Sequence, residues 1–208
     1  MSARLLLAAS GLAREAIGAL RASGPGEIRL LDDDEALHGT CCGGVPVVGG
    51  IDDISRFSEE SLTVAAGRGV TRAAIVERLA NHGVDGTRYD SIVHPSVSIG
   101  PGCTIGAGSI LLAGAVLTAD VTVGAHVVVM PNVVLTHDVV LADYATVCAN
   151  AVIGGSVRVG RAAYIGQGAA IKQDLTIGEQ AIVGMGAVLV SDQPSRETWV
   201  GVPARKRN

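Results

Sequence analysis

The sequence predicts a mixed architecture: a small α/β unit over residues 1–90, then a parallel β-helix with a C-terminal tail over residues 91–208. Three observations predict it. They are an unbroken six-residue aliphatic repeat, a scarcity of rings beside abundant glycine, and a change of grammar near residue 90. The 208 residues are 48% hydrophobic but only 2% aromatic, with 28 glycines. Compact cores normally use Phe, Tyr and Trp as bulk filler. Here Val, Ile, Leu and Ala must fill the interior, which implies a narrow core with many tight corners.

The repeat comes first, because internal periodicity decides the fold. Stepping by six from Val93 through Ile99, Ile105 and Leu111 to Val183 and Leu189 meets an aliphatic residue every time. Four residues after each stands a small or aliphatic one, from Val97 and Cys103 to Ala181 and Ala187. An amphipathic helix would repeat near 3.6 and a hairpin sheet at two, so neither fits. A six-residue unit suits a short strand plus a corner, with three units closing a triangular coil. The large residue points inward, the small one fills the space beside it, and stacked neighbours supply the core. Glycine often follows the aliphatic residue, as at Gly100, Gly124 and Gly166; unusual backbone angles at the turn would explain it.

Before residue 90 the pattern alternates strand and helix. Arg4–Ala9 reads as a buried strand, Ser10-Gly11 as a turn and Leu12–Ala22 as a helix. Ile28–Leu31 is a second strand ending at Asp32-Asp33-Asp34, and Leu62–Ala66 a third. Thr71–Asn81 is a helix with Thr71 as its N-cap. Such alternation indicates a parallel α/β unit. A strand-to-helix loop is a natural phosphate site, and an acid ending the second strand can bind a ribose. An ordinary turn and a solvated acidic loop fit the same residues. A full dinucleotide fingerprint would need GxGxxG, and Ser10-Gly11-Leu12-Ala13 supplies one glycine.

A net charge of −4 gives no reason to expect nucleic acid or an anionic membrane as partner. Cys41, Cys42, Cys103 and Cys148 form no CxxC pair, so neither a disulfide framework nor a zinc site is expected. Arg14 and Glu15 follow the apolar Leu5–Ala9 too soon for a secretory segment, and no run reaches transmembrane length. A cytoplasmic location is the expectation.

Several segments carry a resemblance that runs nearly end to end. They include Gly11-Leu12-Ala13-Arg14-Glu15, Leu31-Asp32-Asp33-Asp34, Val45-Pro46-Val47-Val48-Gly49-Gly50, His94-Pro95-Ser96, Thr136-His137-Asp138 and the closing Gly201-Val202-Pro203-Ala204-Arg205. With the hexapeptide units, this layout resembles the bacterial nucleotide-amino-sugar N-acetyltransferases, a family that includes sialic-acid O-acetyltransferase-like proteins. The resemblance implies a Rossmann-like N-terminal domain and a left-handed β-helix. It also implies a homotrimer, with acetyl-CoA in the groove between adjacent β-helices and no metal. Gly11, Leu12, Asp32 and Asp33 would line the site of the nucleotide sugar. Gly155, Thr146 and the tail residues Val202, Pro203, Ala204 and Arg205 would serve the cofactor.

Acetyl transfer from a thioester needs a general base, and histidine suits the task because its ordinary pKa leaves it largely neutral near pH 7. His137 matches the family's catalytic histidine, and Asp138 follows where an acidic residue assists the proton relay. An isolated His–Asp pair would otherwise read as an exposed corner. Gly155 aligns with a glycine whose N–H contacts the acetyl carbonyl, though a glycine at a repeat corner needs no catalytic reason. His94 is expected to make a structural turn and His126 to lie on the surface. The chain departs from the family at Met130, where asparagine is frequent, and at Thr146, where a second histidine is. Met130 cannot orient His137 by hydrogen bonding, which leaves Asn132 or Asp138 to do so. Amine and hydroxyl acceptors both stay open. A γ-type carbonic anhydrase would need three zinc-binding histidines, two of them five residues apart, a spacing that His126 and His137 lack. A non-catalytic scaffold is the remaining alternative.

Overall fold

The computed structural model describes residues 3–207. The chain opens with β1 (Arg4–Leu7), α1 (Gly11–Ser23) and β2 (Ile28–Leu31), then the short hairpin strands β3 (Cys41–Cys42) and β4 (Val45–Pro46). After these come β5 (Ser61–Val64) and α2 (Gly69–Asn81). β1 is the centre of a parallel sheet of order β2-β1-β5. Apolar clusters cover both of its faces, with Leu6 and Leu30 on one side and Leu5, Leu7 and Leu62 on the other. A strand buried on both faces reads as a continuous apolar run, which is why Leu5-Leu6-Leu7 shows no alternation.

Ser10 starts α1: its hydroxyl accepts from the Ala13 N–H at 3.3 Å, a cap worth about 1 kcal/mol. The helix buries Leu12, Ala13, Ala16, Ile17 and Leu20 along one stripe. α2 begins earlier than expected. Its N-cap is Arg68 rather than Thr71, and no side chain caps it. Packing sets this start, because a Cβ on Gly69 would lie 2.0 Å from the Tyr144 carbonyl oxygen. Only glycine lets the helix approach so closely.

From β6 (Ile92–Val93) to β22 (Val188–Leu189) every strand has two residues and follows the previous one by six. Strands up to β19 (Ala170–Ile171) pair in parallel with the strand one coil later, as in Val134↔Val152 and Leu135↔Ile153. The result is a left-handed β-helix with three faces. Leu117, Leu135, Ile153 and Ile177 point inward and are fully buried, with Ala151 and Ala163 among the small residues beside them. Ile99 departs from the expected pattern at 46% exposed. Its strand ends its face of the stack, so it has a neighbour on one side only.

The glycines after the aliphatic residues have a different cause from the one expected. Neither Gly100 nor Gly124 takes a positive φ; instead a Cβ would lie 1.5 Å from the Thr118 carbonyl oxygen and 2.7 Å from the Asp143 amide nitrogen. They make room for the next coil. The left-handed conformation falls two residues later, on Asn132, Asp138, Asn150 and their equivalents.

The outward residues distinguish the three faces. Ile110, Leu112 and Val128 lie under the α/β unit and share its core. A second face presents Val116, Val134, Val152, Ala170 and Val188 to the outside. The third presents Thr104, Thr122, Val140, Arg158 and Thr176. Strands β23 (Thr198–Val200) and β24 (Arg205–Lys206) close the stack, where the pairing turns antiparallel and Trp199 packs on the last of the core. Such a terminal coil protects the open end of a solenoid.

His126 is not on the surface. It is 5% exposed, stacked on Tyr144 with ring centroids 5.2 Å apart and edge-on to Tyr89 at 4.6 Å. Its corner lies beneath the α/β unit, which the repeat arithmetic does not reveal. Burial, then the nearby charge of Arg72, pushes its pKa down to about 4. No helix among the described residues is long and apolar enough to cross a membrane.

Candidate active site

His137 stands on the corner between β13 (Val134–Leu135) and β14 (Val140–Leu141), where the second face meets the third. Its side chain is 65% exposed, and Nδ1 lies 2.8 Å from Asp138 Oδ2. Asp138 has φ +60, a conformation that Asp tolerates better than most residues. An ionised carboxylate only accepts hydrogen bonds, so in this contact Nδ1 carries the proton, which leaves Nε2 as the ring nitrogen that can take one. The ring is thereby set up as a base facing outward.

Gly155 lies one coil later, below the imidazole. A Cβ there would come within 2.4 Å of His137 Cε1 and 2.5 Å of Nε2, so the ring occupies the space a side chain would need. The Gly155 carbonyl accepts from Asp174, while its N–H donates to no partner among the described residues. That leaves a donor beside the base, as stabilisation of an oxyanion requires. Asn132 is on the preceding corner against Gly114, so of the two candidate holders of His137, Asp138 makes the contact.

At the C-terminal end of β1 the backbone turns sharply, with Ala8 at φ +80, a conformation that glycine usually supplies. It is held in place: Ala8 N–H donates to Leu31 O at 2.8 Å, and Ala9 N–H to Asp32 Oδ2 at 2.6 Å. The turn aims the start of α1 into two adjoining pockets that share Gly11. One, of about 300 Å³, lies among Ser10, Arg14, Thr40 and Cys42; the other, of about 340 Å³, is lined by Leu12, Gly67, Arg68, Met130, Thr146 and Tyr164. A larger recess of about 510 Å³ around Arg21 and Glu27 is at the opposite end of the sheet, away from both.

The acidic run is largely committed. Asp32 accepts from Ala9 and Asp34 N–H groups. Asp33 takes Arg78 at 2.7 and 3.2 Å and the Ile51 N–H at 3.2 Å, and the Arg78 bond holds its carboxyl below the usual range. Thr146 is buried. Its hydroxyl donates to Gly67 O at 3.2 Å and accepts from Arg72 at 3.0 Å. Met130 and Thr146 therefore border the α1 pocket, on the covered face, and not the His137 corner.

In the tail Val202 is 73% exposed, and Val202–Pro203 is a cis peptide. Ala204 is buried with its N–H on Val188 O at 2.8 Å, and Arg205 folds back onto Ala204 O. Val188 belongs to the face that leads into the His137 corner, three strand steps along, or about 14 Å at the usual strand spacing. His94 makes its turn with Ser96 at 2.8 Å. Among the described residues no three His, Cys, Asp or Glu side chains gather as a metal-binding group.

Arg72, absent from the residues expected at the site, is fully buried and bonded to Gly67 and Thr146 of the α1 pocket. The signal was present: Arg72, Ile75, Val76 and Leu79 fall on one helical stripe, with a charge where an apolar residue belongs.

A family model, bacterial transferase hexapeptide (six repeats), matches residues 120–155. A comparison with curated protein sequences returns no match. Among solved structures, the acetyltransferase domain of PglB from Neisseria gonorrhoeae, in complex with acetyl coenzyme A, is 30% identical with a TM-score of 0.90, and each chain covers 100% of the other. WeeI from Acinetobacter baumannii is also 30% identical over 100% of both chains, with a TM-score of 0.88. A variant of perosamine N-acetyltransferase from Caulobacter crescentus, in complex with CoA and GDP-perosamine, is 28% identical with a TM-score of 0.91. That match covers 100% of this chain and 98% of the other.

Proposed function

The chain belongs to the bacterial hexapeptide-repeat sugar N-acetyltransferases, and from that premise we propose that it moves an acetyl group from acetyl-CoA to the amine of a nucleotide-linked amino sugar. The observation that carries this reading is the His137 imidazole, held at Nδ1 by Asp138 and standing over the bare Cα of Gly155. Acetyl-CoA supplies the thioester. His137 Nε2 takes the proton of the sugar amine as its nitrogen attacks the carbonyl carbon. The Gly155 N–H faces the developing oxyanion, a contribution of a few kcal/mol in such sites. Collapse expels the CoA thiolate, which recovers a proton from the imidazolium, and the amide remains on the sugar.

The α1 pockets take the nucleotide sugar, whose phosphates meet the Gly11 and Leu12 N–H groups at the start of the helix. Asp32 serves this pocket through the turn it holds at Ala9, whereas Asp33, paired with Arg78, lines neither α1 pocket. The exposed Val202 and the buried Ala204 mark the cofactor's far end, on the face that leads to His137. That face is apolar and uncovered, which supports burial against a second copy in a homotrimer. A second copy is also what the chemistry needs. The α1 pocket is on the covered face and His137 on the opposite corner, so one subunit's base serves its neighbour's pocket. Thr146 acts here through packing beneath the pocket. A cytoplasmic setting fits the use of acetyl-CoA.

The test is thiol release from acetyl-CoA with UDP-, GDP- and dTDP-linked amino sugars. One of them is expected to turn over, and His137→Ala is expected to abolish turnover while leaving size and melting temperature unchanged. Silence with all acceptors, or full activity in His137→Ala, would overturn the reading.

A further inference from the structure

Arg72 is the largest fully buried side chain in the described structure, and no carboxylate pairs with it among the described residues. Six acceptors surround the five N–H groups of its guanidinium instead, three of them sharing the two on Nη2. Nη1 donates to Ala66 O at 2.9 Å and Gly67 O at 3.0 Å, both in the loop between β5 and α2. Nε donates to His126 O at 2.8 Å on one coil of the β-helix. Nη2 donates to Tyr144 O at 2.7 Å, Ala145 O at 3.0 Å and the Thr146 hydroxyl at 3.0 Å on the next. Burial lowers the pKa to about 10, so the group stays charged near neutrality, balanced by carbonyl dipoles.

Two of the groups that Arg72 grips, Gly67 and Thr146, line the same pocket beside Gly11 and Leu12. One belongs to the α/β unit and the other to the β-helix. A planar fork with rigidly spaced donors can tie both sides at once, where a flexible ammonium cannot. We propose that Arg72 is a positioning residue that sets the width of the acceptor pocket by pinning the Gly67–Arg68 lip of the α/β unit to the Thr146 wall of the β-helix. This rests on the reading of that pocket as the acceptor site. It assigns Thr146 a part in acceptor binding, where a direct cofactor contact would show itself in acyl-CoA binding.

Arg72→Lys and the milder Thr146→Val test it, with CoA binding by titration calorimetry as the control for a folded β-helix. Arg72→Lys is expected to lower kcat/KM for the acceptor on the order of a hundredfold, chiefly through KM, with the CoA dissociation constant unchanged. Thr146→Val, which removes one partner, is expected to raise acceptor KM about tenfold. Amide exchange is expected to quicken at residues 66–70 in Arg72→Lys and stay unchanged at residues 152–171, which Arg72 does not touch. An unmoved acceptor KM in both variants, or a parallel loss of CoA binding, overturns the proposal. Should Arg72→Lys not fold, Thr146→Val decides alone. Should the wild type acetylate no amino sugar, the functional reading fails, and the exchange measurement still decides whether Arg72 holds the lip.

Discussion

In the β-helix a residue's neighbours follow from its number, and in the α/β unit they do not. His137 and Gly155 meet because one coil separates them, as it separates Leu135 from Ile153. In the α/β unit Ala9 meets Asp32 and Asp33 meets Arg78, 23 and 45 residues apart, with no period to announce it. The difference teaches where each kind of function can be placed. Repetition yields a rigid edge on which one unusual corner, His-Asp over Gly, stands out from its equivalents. The irregular unit supplies a pocket whose walls come from many places and whose shape depends on how they are clamped together.

The sharpest way to break this contrast is Gly155→Ala. The new Cβ collides with the His137 ring, and kcat/KM is expected to fall on the order of a hundredfold, while melting changes little because the ring is exposed. A near-normal rate would show that the coil below the base does not matter. Next in size is Ile153→Ala, which empties a fully buried site in the continuous core. Denaturant unfolding should show a loss of about 2–5 kcal/mol. Full stability would mean that the coils collapse to fill the gap.

Smaller again is a pH effect at the joint between the two regions. The folded pKa of His126 is about 4 against an ordinary 6.5. The unfolded chain therefore binds the proton first as pH falls, and stability drops from pH 6.5 down to about 4. The loss is at most about 3 kcal/mol, and none is added below that range. Urea midpoints from pH 7 to 4.5 should fall more steeply for the wild type than for His126→Asn, whose side chain tolerates the positive φ there; equal slopes would contradict the assignment. Smallest is Arg78→Met. The Arg78 bond depresses the Asp33 pKa, so its stabilisation is present above the ordinary carboxylate pKa and lost as pH falls through the lower folded value. Arg78 also pairs with Asp52 at 2.6 Å; both pairs are largely exposed, and their joint loss at pH 7 should cost about 1 kcal/mol or less. A larger cost in denaturant would show the acidic turn to be a structural centre of the unit.

The same contrast explains what could be read in advance. The β-helix is legible from Val93 to Leu189 because stacking demands the same residue type every six positions. His137 and Asp138 are legible only through resemblance, since their spacing alone describes any exposed corner. The α1 turn was half visible: Gly11 marks it, but Ala8 at φ +80 and the Asp32 bond that secures it are tertiary facts. The burial of Arg72 and His126 depends on the docking of the α/β unit on the β-helix, which joins Arg72 to carbonyls 54 and 73 residues away and which no repeat encodes.

One coil of this β-helix is one division on a ruler. The corner that bears the base and the tail that closes the stack are separated by a whole number of such divisions on one face. Removing residues 157–174 would keep each sheet's pairing scheme yet carry the tail about 4.8 Å toward His137. On the proposed reading, the coil count would gauge the length of the cofactor that reaches from one mark to the other.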